Sequence, residues 1–419
     1  MARAAAYACY RCGQEFPLDL AIESKGCPTC FSEAPSNFHM VYRRAVGRPP
    51  VGSDRSLPSL WRYADSLPFD RQDAISLGEG LTPLLPAPKL GAAIGVPGLL
   101  VKNEGNNPTW SHKDRFSTVA ITAAVQSGAK LVATSSTGNA GASLAAYAAR
   151  AGLPCVVATL AGSAGPMLTQ IRKYGAEVVP FENKSDRWTF LAEGVAKFGW
   201  FATSPYRHPV VGSHPIGIEG YKTIAFEIVE QMGGKAPDWC ALPVCYGDAL
   251  AGVWLGFREM LQRGAIDRMP KLLAAEVHGS LEQAIAQQTD RIPDMPAAFD
   301  ALAVSIGATR STFQALKALR ETKGAALAIS NAGLVSLQEK VAATEGLFLE
   351  LSSTIPIAAI REARQRGIID CDETVVAVVT ASGLKDTDRS ASPDTASPFG
   401  DVESALSVFA NGGLHRHRP

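Results

Sequence analysis

From Leu99 onward, short apolar runs alternate with longer stretches whose apolar positions recur at helical spacing. Leu99 to Lys102, Leu131 to Thr134, Cys155 to Thr159 and Glu177 to Pro180 read as strands, as do Trp239 to Val244, Leu272 to Val277 and Thr374 to Val379. Between them, Ser117 to Gln126, Ala140 to Arg150, Pro166 to Tyr174, Glu219 to Gln231, Leu250 to Leu261 and Leu334 to Ala343 read as helices. Buried strands separated by single helices predict parallel βαβ units. The expectation is an α/β protein of two doubly wound parallel-sheet domains with a site between them. Its bounds are an N-terminal segment, residues 1–45; a large domain, 46–115 with 210–386; a smaller mobile domain, 116–209; and a tail, 387–419. The Pro/Gly/Arg run at 48–52 reads as linker. The tail is expected to be largely disordered around one short helix, Val402 to Phe409.

Composition narrows the function. Of 419 residues, 46% are apolar and 19% charged, and 40 basic residues balance 40 acidic ones. No net field draws the chain to nucleic acid or to an acidic membrane. No run has the length of a membrane span, so the cytoplasm is the expected compartment. Four of the eight cysteines, Cys9, Cys12, Cys27 and Cys30, form two C-x2-C pairs. That spacing closes a structural zinc site, which a reducing compartment favours over two disulfides. The segment is therefore read as a zinc ribbon. Its few flanking basic residues, Arg11 and Lys25, argue against a nucleic-acid partner.

Three later motifs carry chemistry. In Asn107-Pro108-Thr109-Trp110-Ser111-His112-Lys113-Asp114-Arg115, the lysine falls at the start of a helix, where the dipole favours a free amine. Ser135-Ser136-Thr137-Gly138-Asn139-Ala140-Gly141 is a turn at another helix start, a seat for an anion. Thr380-Ala381-Ser382-Gly383-Leu384-Lys385 puts hydroxyls at the end of an apolar strand. From Leu77 to about Lys385, these motifs resemble the threonine synthase family of fold-type II pyridoxal-phosphate enzymes, which share a tryptophan synthase β-like architecture. Leu77-Gly78-Glu79-Gly80-Leu81-Thr82-Pro83-Leu84, Ala303 to Gly307 and Glu345 to Ser353 add to the likeness. Some members carry N-terminal zinc ribbons.

The resemblance implies pyridoxal phosphate in the large domain, linked to Lys113, the catalytic base. Asn139 would bond the ring oxygen, and Thr380 or Ser382 would meet the pyridine nitrogen. Ser136, Thr137 and Gly138 would hold a substrate carboxylate. Gly247, Asp248, Ala249 and Leu250 would cradle the cofactor phosphate through backbone N–H groups, with Asp248 as the helix N-cap. It also implies a small amino-acid substrate and a homodimer.

Several positions depart from the family. Trp110 replaces a glycine and His112 a phenylalanine; His112 reads either as a proton carrier or as a polar packing substitute. The Asn, Ser and Arg that grip the substrate phosphate align with Val211, Gly212 and Gly217. Losing such a grip costs about 2–5 kcal/mol. Arg207 and Ser213 stand close enough in sequence to replace it. The expected activity is a carbon–oxygen lyase that eliminates phosphate from O-phosphohomoserine and adds water to give threonine. The alternative is β-elimination or β-replacement on an unphosphorylated amino acid: a dehydratase, an ammonia-lyase or a synthase. A third reading is a non-catalytic zinc-ribbon binding protein.

Overall fold

The computed structural model describes residues 4–32, 34–42, 57–298, 300–390 and 401–410. The expected linker at 48–52 and most of the expected disordered tail lie outside them. Inside them, a turn of helix, Thr387–Ser390, and the helix Val402–Ala410 frame the tail.

The larger sheet has six strands, in the order Ala325–Ala328, Lys271–Glu276, Trp239–Pro243, Val375–Val379, Leu99–Asn103, Leu84–Pro86. Alternate side chains feed two cores, as the strand period requires. Cys240, Leu242, Leu272, Ala274, Val376 and Val378 pack under the helices Lys222–Gln231, Asp248–Gln262 and Phe313–Glu321. Trp239, Ala241, Leu273, Ala275, Val375, Ala377 and Val379 pack under Leu334–Glu345 and Leu351–Gln365. Five strands are parallel. The sixth, Leu84–Pro86, pairs antiparallel with Leu99–Asn103, so the sheet is not wholly parallel as expected. A proline-bounded strand is tolerated there because it lies at an edge.

The smaller sheet is all parallel, in the order Glu177–Phe181, Cys155–Leu160, Val132–Ser135, Phe201–Ala202. The helices Asn139–Ala151 and Pro166–Lys173 cover one face and Asp186–Phe198 the other. A third, antiparallel sheet of Glu15–Phe16, Ala4–Cys9 and Phe38–Tyr42 belongs to the cysteine-bearing segment.

The helix Lys113–Gln126 joins these units. It is buried from Asp114 to Ala124 and contributes to three cores: Phe116 and Ala120 to the large sheet, Ile121 and Ala124 to the small one, Val119 and Ala123 to the ribbon. A helix enclosed on all sides makes a fixed mount for its first residue, Lys113. Because the five strands run parallel, Asn103, Pro243, Glu276, Ala328 and Val379 end along one edge, and the loops that follow them gather there. In open α/β sheets that edge is where ligands bind.

Candidate active site

Lys113 sits where two loops zip together. The His112 N–H donates to the Thr380 carbonyl (2.8 Å) and the Ser382 N–H to the Trp110 carbonyl (3.1 Å), with a bridge between Ser111 and Ala381. The two residues after Lys113 are anchored in other directions. Asp114 accepts from Thr109 N–H (2.6 Å), Thr109 Oγ1 (2.5 Å) and Ser143 Oγ (2.6 Å). Arg115 makes bidentate pairs with Glu104 (2.6 and 2.7 Å) and Glu227 (2.6 and 2.7 Å), and Lys102 Nζ completes the cluster at 2.7 Å from Glu227. All four charged groups are buried, and mutual pairing offsets their desolvation. Lys385 clasps the turn from above, donating to the Thr109 carbonyl (2.7 Å) and to Gln170 (2.6 Å) on the small-sheet side.

Lys113 itself is left free. Its Nζ lies 5.9 Å over the Tyr221 ring, and among the described residues no hydrogen bond or ion pair engages it. Burial lowers its pKa, against the opposing pull of Asp248 and Glu350, which favours the nucleophilic neutral amine. His112 stacks on Tyr221 (5.4 Å, 27°), and its Nδ1 lies 3.3 Å from the Thr380 carbonyl. Burial holds its pKa well below the usual value. Of its two readings, the neutral packing substitute is the one this geometry fits.

The Ser135–Gly141 turn arrives from the small sheet. Asn139 opens its helix after Gly138. Its Nδ2 donates to Glu350 (2.7 Å), while its Oδ1 is buried without a partner. Of the three proposed carboxylate ligands, two are already engaged: the Ser136 N–H donates to the Ala158 carbonyl and the Gly138 N–H to Ser136 Oγ. Thr137 and the first N–H groups of the helix, which have no intrahelical acceptor, remain as donors.

Gly247 caps the Asp248–Gln262 helix with φ of 90°. A side chain there would also run into Ala315. No side chain caps this helix start, so the N–H groups of Asp248, Ala249 and Leu250 form an open anion seat. Asp248 is therefore not the N-cap expected from sequence. Its carboxylate turns away, to the Ser213 N–H (3.0 Å) and Gln314 Nε2 (3.3 Å). Ser213 is thereby built into the wall, and its carbonyl accepts from Asn37 of the ribbon (2.9 Å).

At the strand end, Thr380 Oγ1 pairs with Ser353 Oγ (3.0 Å), which also accepts the Ala381 N–H (2.8 Å). Ser382 Oγ instead accepts from Leu384 N–H (3.3 Å), capping its own turn, so Thr380 is the better-placed of the two hydroxyls. Sequence reasoning assigned no role to Ser353 or to Glu350, which bonds both Asn139 and Ser305 Oγ. The signal was present in Glu345 to Ser353, quoted only as likeness.

Beside the cradle, Tyr246 borders a chamber of about 580 Å³ lined by Lys184, Trp188, Arg207, His208 and Arg310. The Trp188 and His208 rings meet at 4.4 Å, tilted by 39°. Side chains at Gly212 and Gly217 would crowd their neighbours. A Cβ on Gly212 would lie 2.5 Å from both Asp248 Oδ1 and Gln314 Nε2, and one on Gly217 2.5 Å from the Phe116 ring.

The partnerless lysine, the orphaned Asn139 oxygen and the uncapped helix start fit a phosphorylated aldehyde held at this edge. Comparison with known proteins agrees. Residues 75–381 match the family model "Pyridoxal-phosphate dependent enzyme". The threonine synthase of Methanocaldococcus jannaschii is 34% identical over 388 residues, covering 91% of this chain and 93% of that one. That of Mycobacterium tuberculosis is 36% identical over 364 residues, 85% and 98% of the two chains. Among solved structures, the processed threonine deaminase isoform 2 of Solanum lycopersicum superposes with a TM-score of 0.62 at 20% identity, covering 88% and 98%. Maize serine racemase does so with 0.61 at 18%, covering 80% and 94%. These two establish the fold alone, that of the type II enzymes. The relatives make the chain a lyase and set aside the non-catalytic reading. The chain belongs to the pyridoxal-phosphate-dependent enzymes, within their threonine synthase family.

Proposed function

We propose that this enzyme converts O-phosphohomoserine to threonine, with pyridoxal phosphate held at the carboxyl edge of the large sheet. The observation that carries the proposal is the convergence of Lys113, Asn139 and Thr380 from three separate segments on that edge, in a chain whose named relatives are threonine synthases. The bound cofactor supplies the electron sink for chemistry at Cα. Lys113 takes and returns protons on the substrate carbons. The neutral Thr380–Ser353 pair would meet the ring nitrogen and leave it without a charge. The N–H groups of Gly247 to Leu250 would hold the cofactor phosphate, Asn139 the ring oxygen, and Thr137 with the adjacent helix start the substrate carboxylate. Arg207, with Lys184 and Arg310 in the same chamber, receives the phosphate that leaves Cγ before water adds at Cβ.

The four ribbon thiols hold structural zinc in this proposal. Their sulfurs all lie within 4.8 Å of one another, with Cys9–Cys30 at 3.9 Å and Cys12–Cys27 at 3.8 Å. Sulfurs around tetrahedral zinc at ~2.3 Å stand about 3.8 Å apart, whereas a disulfide needs about 2.05 Å. Among the described residues no helix is long and apolar enough to cross a membrane. Unpaired thiols suit the cytoplasm. We further take the enzyme to be a homodimer in which, within the expected 116–209 domain, the small sheet and its covering helices move against the large domain while the Lys113–Gln126 helix stays fixed.

The test is to incubate the cofactor-loaded enzyme with O-phosphohomoserine and measure phosphate and threonine together. Equimolar release supports the proposal. No release with the cofactor still bound favours the second reading, an unphosphorylated substrate. What motivates that reading is the closed space at Gly212 and Gly217 and the Asp248 carboxylate beside them.

A further inference from the structure

The ribbon does not sit at the periphery of the chamber. Its residues grip the segment 206–213, which carries Arg207, at both ends. At one end Ser24 Oγ accepts the Tyr206 N–H (3.0 Å), and the Ser24 N–H reaches Tyr206 Oη (3.4 Å). Both residues are buried. At the other, Asn37 Nδ2 donates to the Ser213 carbonyl (2.9 Å), while Asn37 Oδ1 is occupied by the Phe38 N–H (2.9 Å). Between the two ends, Gly26 lies close to Val211: a Cβ on it would be 3.2 Å from Val211 Cγ1. The same contacts run back to the cysteine cluster. Ser24 is three residues before Cys27, the Cys27 N–H donates to the Ser36 carbonyl (2.8 Å), and the Asn37 carbonyl accepts from Tyr10, the residue after Cys9 (3.1 Å). Onward from the segment, the Ser213 N–H bonds Asp248, the first residue of the cradle helix.

We infer that Ser24 and Asn37 are positioning residues for the reaction: the metal-closed ribbon sets the placement of segment 206–213, and through it the placement of Arg207 against the leaving group. The inference rests on the assignment of Arg207 to the substrate phosphate. Side chains at Gly212 and Gly217, where the resemblance puts the family's phosphate ligands, would meet Asp248, Gln314 and the Phe116 ring, so a segment that substitutes for those ligands would draw support from elsewhere in the chain. The ribbon supplies it from outside both α/β units.

Holoenzyme carrying Ser24→Ala, Asn37→Ala or Arg207→Ala distinguishes the possibilities. The readouts are KM and kcat for O-phosphohomoserine, calorimetric binding of inorganic phosphate, zinc content, visible absorbance of the lysine-linked cofactor, and amide hydrogen exchange across 206–213. One lost neutral hydrogen bond corresponds to up to about a tenfold effect. The expected result for each ribbon variant is a several-fold rise in KM and in the phosphate dissociation constant. With it go kcat within about twofold, unchanged zinc and absorbance, and faster exchange at 206–213. Added to Arg207→Ala, Ser24→Ala is expected to raise KM no further, because both act through one guanidinium. If Arg207→Ala weakens phosphate binding while both ribbon variants match the wild type, the inference is overturned and the chamber assignment stands. If Arg207→Ala binds phosphate as the wild type does, or the wild type binds none, both are overturned.

Discussion

The cofactor edge and the substrate wall of this enzyme are built by different means. At the cofactor edge, each functional group is placed by partners within the α/β core: Lys113 by the zipped loops and the Arg115 cluster, Thr380 by Ser353, Asn139 by Glu350. The wall at 206–217 is also tied to the core, through Asp248 on the Ser213 N–H and Gln314 on the Val211 carbonyl, but it takes added support from the ribbon and from ring packing, with Asn37 on Ser213, Ser24 on Tyr206, and Phe116 against Gly217. By the resemblance drawn from the sequence, the edge would keep the family's residue types at Lys113, Asn139 and Thr380, whereas the wall would have exchanged a polar grip for close packing. Chemistry and selectivity therefore rest on supports that meet at Asp248, and the ribbon's share of the second can change while the first stays fixed.

Substitutions that fall on one side only should bring out that separation. Lys113→Ala is expected to lower kcat by about 10³-fold or more and to abolish the visible absorbance of the lysine-linked cofactor, with stability little changed. Turnover above one per cent of wild type would show that another group does its work. Arg115→Met leaves Glu104 without its cation and Glu227 with Lys102 alone, and should cost about 3–5 kcal/mol, read as a lower urea midpoint. A smaller loss would mean that the buried carboxylates find protons or water at little cost. On the wall, Gly217→Arg restores the family's residue but meets the Phe116 ring, for about 1–3 kcal/mol of destabilisation. Adding Phe116→Ala should recover part of it, and a fully stable single variant would mean the wall is not closed. The smallest effect concerns pH at the junction. Burial pushes His39 and His214 down to about 4. Above the ordinary value near 6.5 both are neutral, folded or unfolded, and the junction has its full stability. As pH falls toward 4 the unfolded chain takes up protons that the folded one refuses, so stability is lost across that window. The urea midpoint should drop between pH 7 and pH 4.5, and less so in His214→Phe, whose ring can keep the stack on Phe201.

Much of the scaffold was legible in the sequence because strands buried on both faces must be continuous apolar runs. The strands ending at Asn103, Pro243 and Val379 were read within a residue or two. Ala325–Ala328 was missed, since alanine carries little strand signal. So was Leu84–Pro86, whose proline and antiparallel pairing suit only an edge. At the site, Lys113 opens its helix as its spacing implied. Asp248 was misread as a cap because nothing local announces its bond to Ser213, 35 residues earlier. Ser353 and Glu350 matter only because a helix start 28 to 31 residues before Ala381 returns to the same strand end, a proximity no local pattern encodes.

Trp110 adopts φ of 66°, a backbone shape that suits glycine, the residue the family resemblance puts there, and the residue is 45% exposed. The backbone already has a conformation that glycine adopts without strain, so the step to glycine is short. A tryptophan codon becomes a glycine codon by one nucleotide, and the new residue would drop into a turn already shaped for it. Position 217 has no such short path, because Phe116 would have to change with it. In a selection for altered substrate range, substitutions at 110 should thus surface early and alone, and those at 217 late and in pairs.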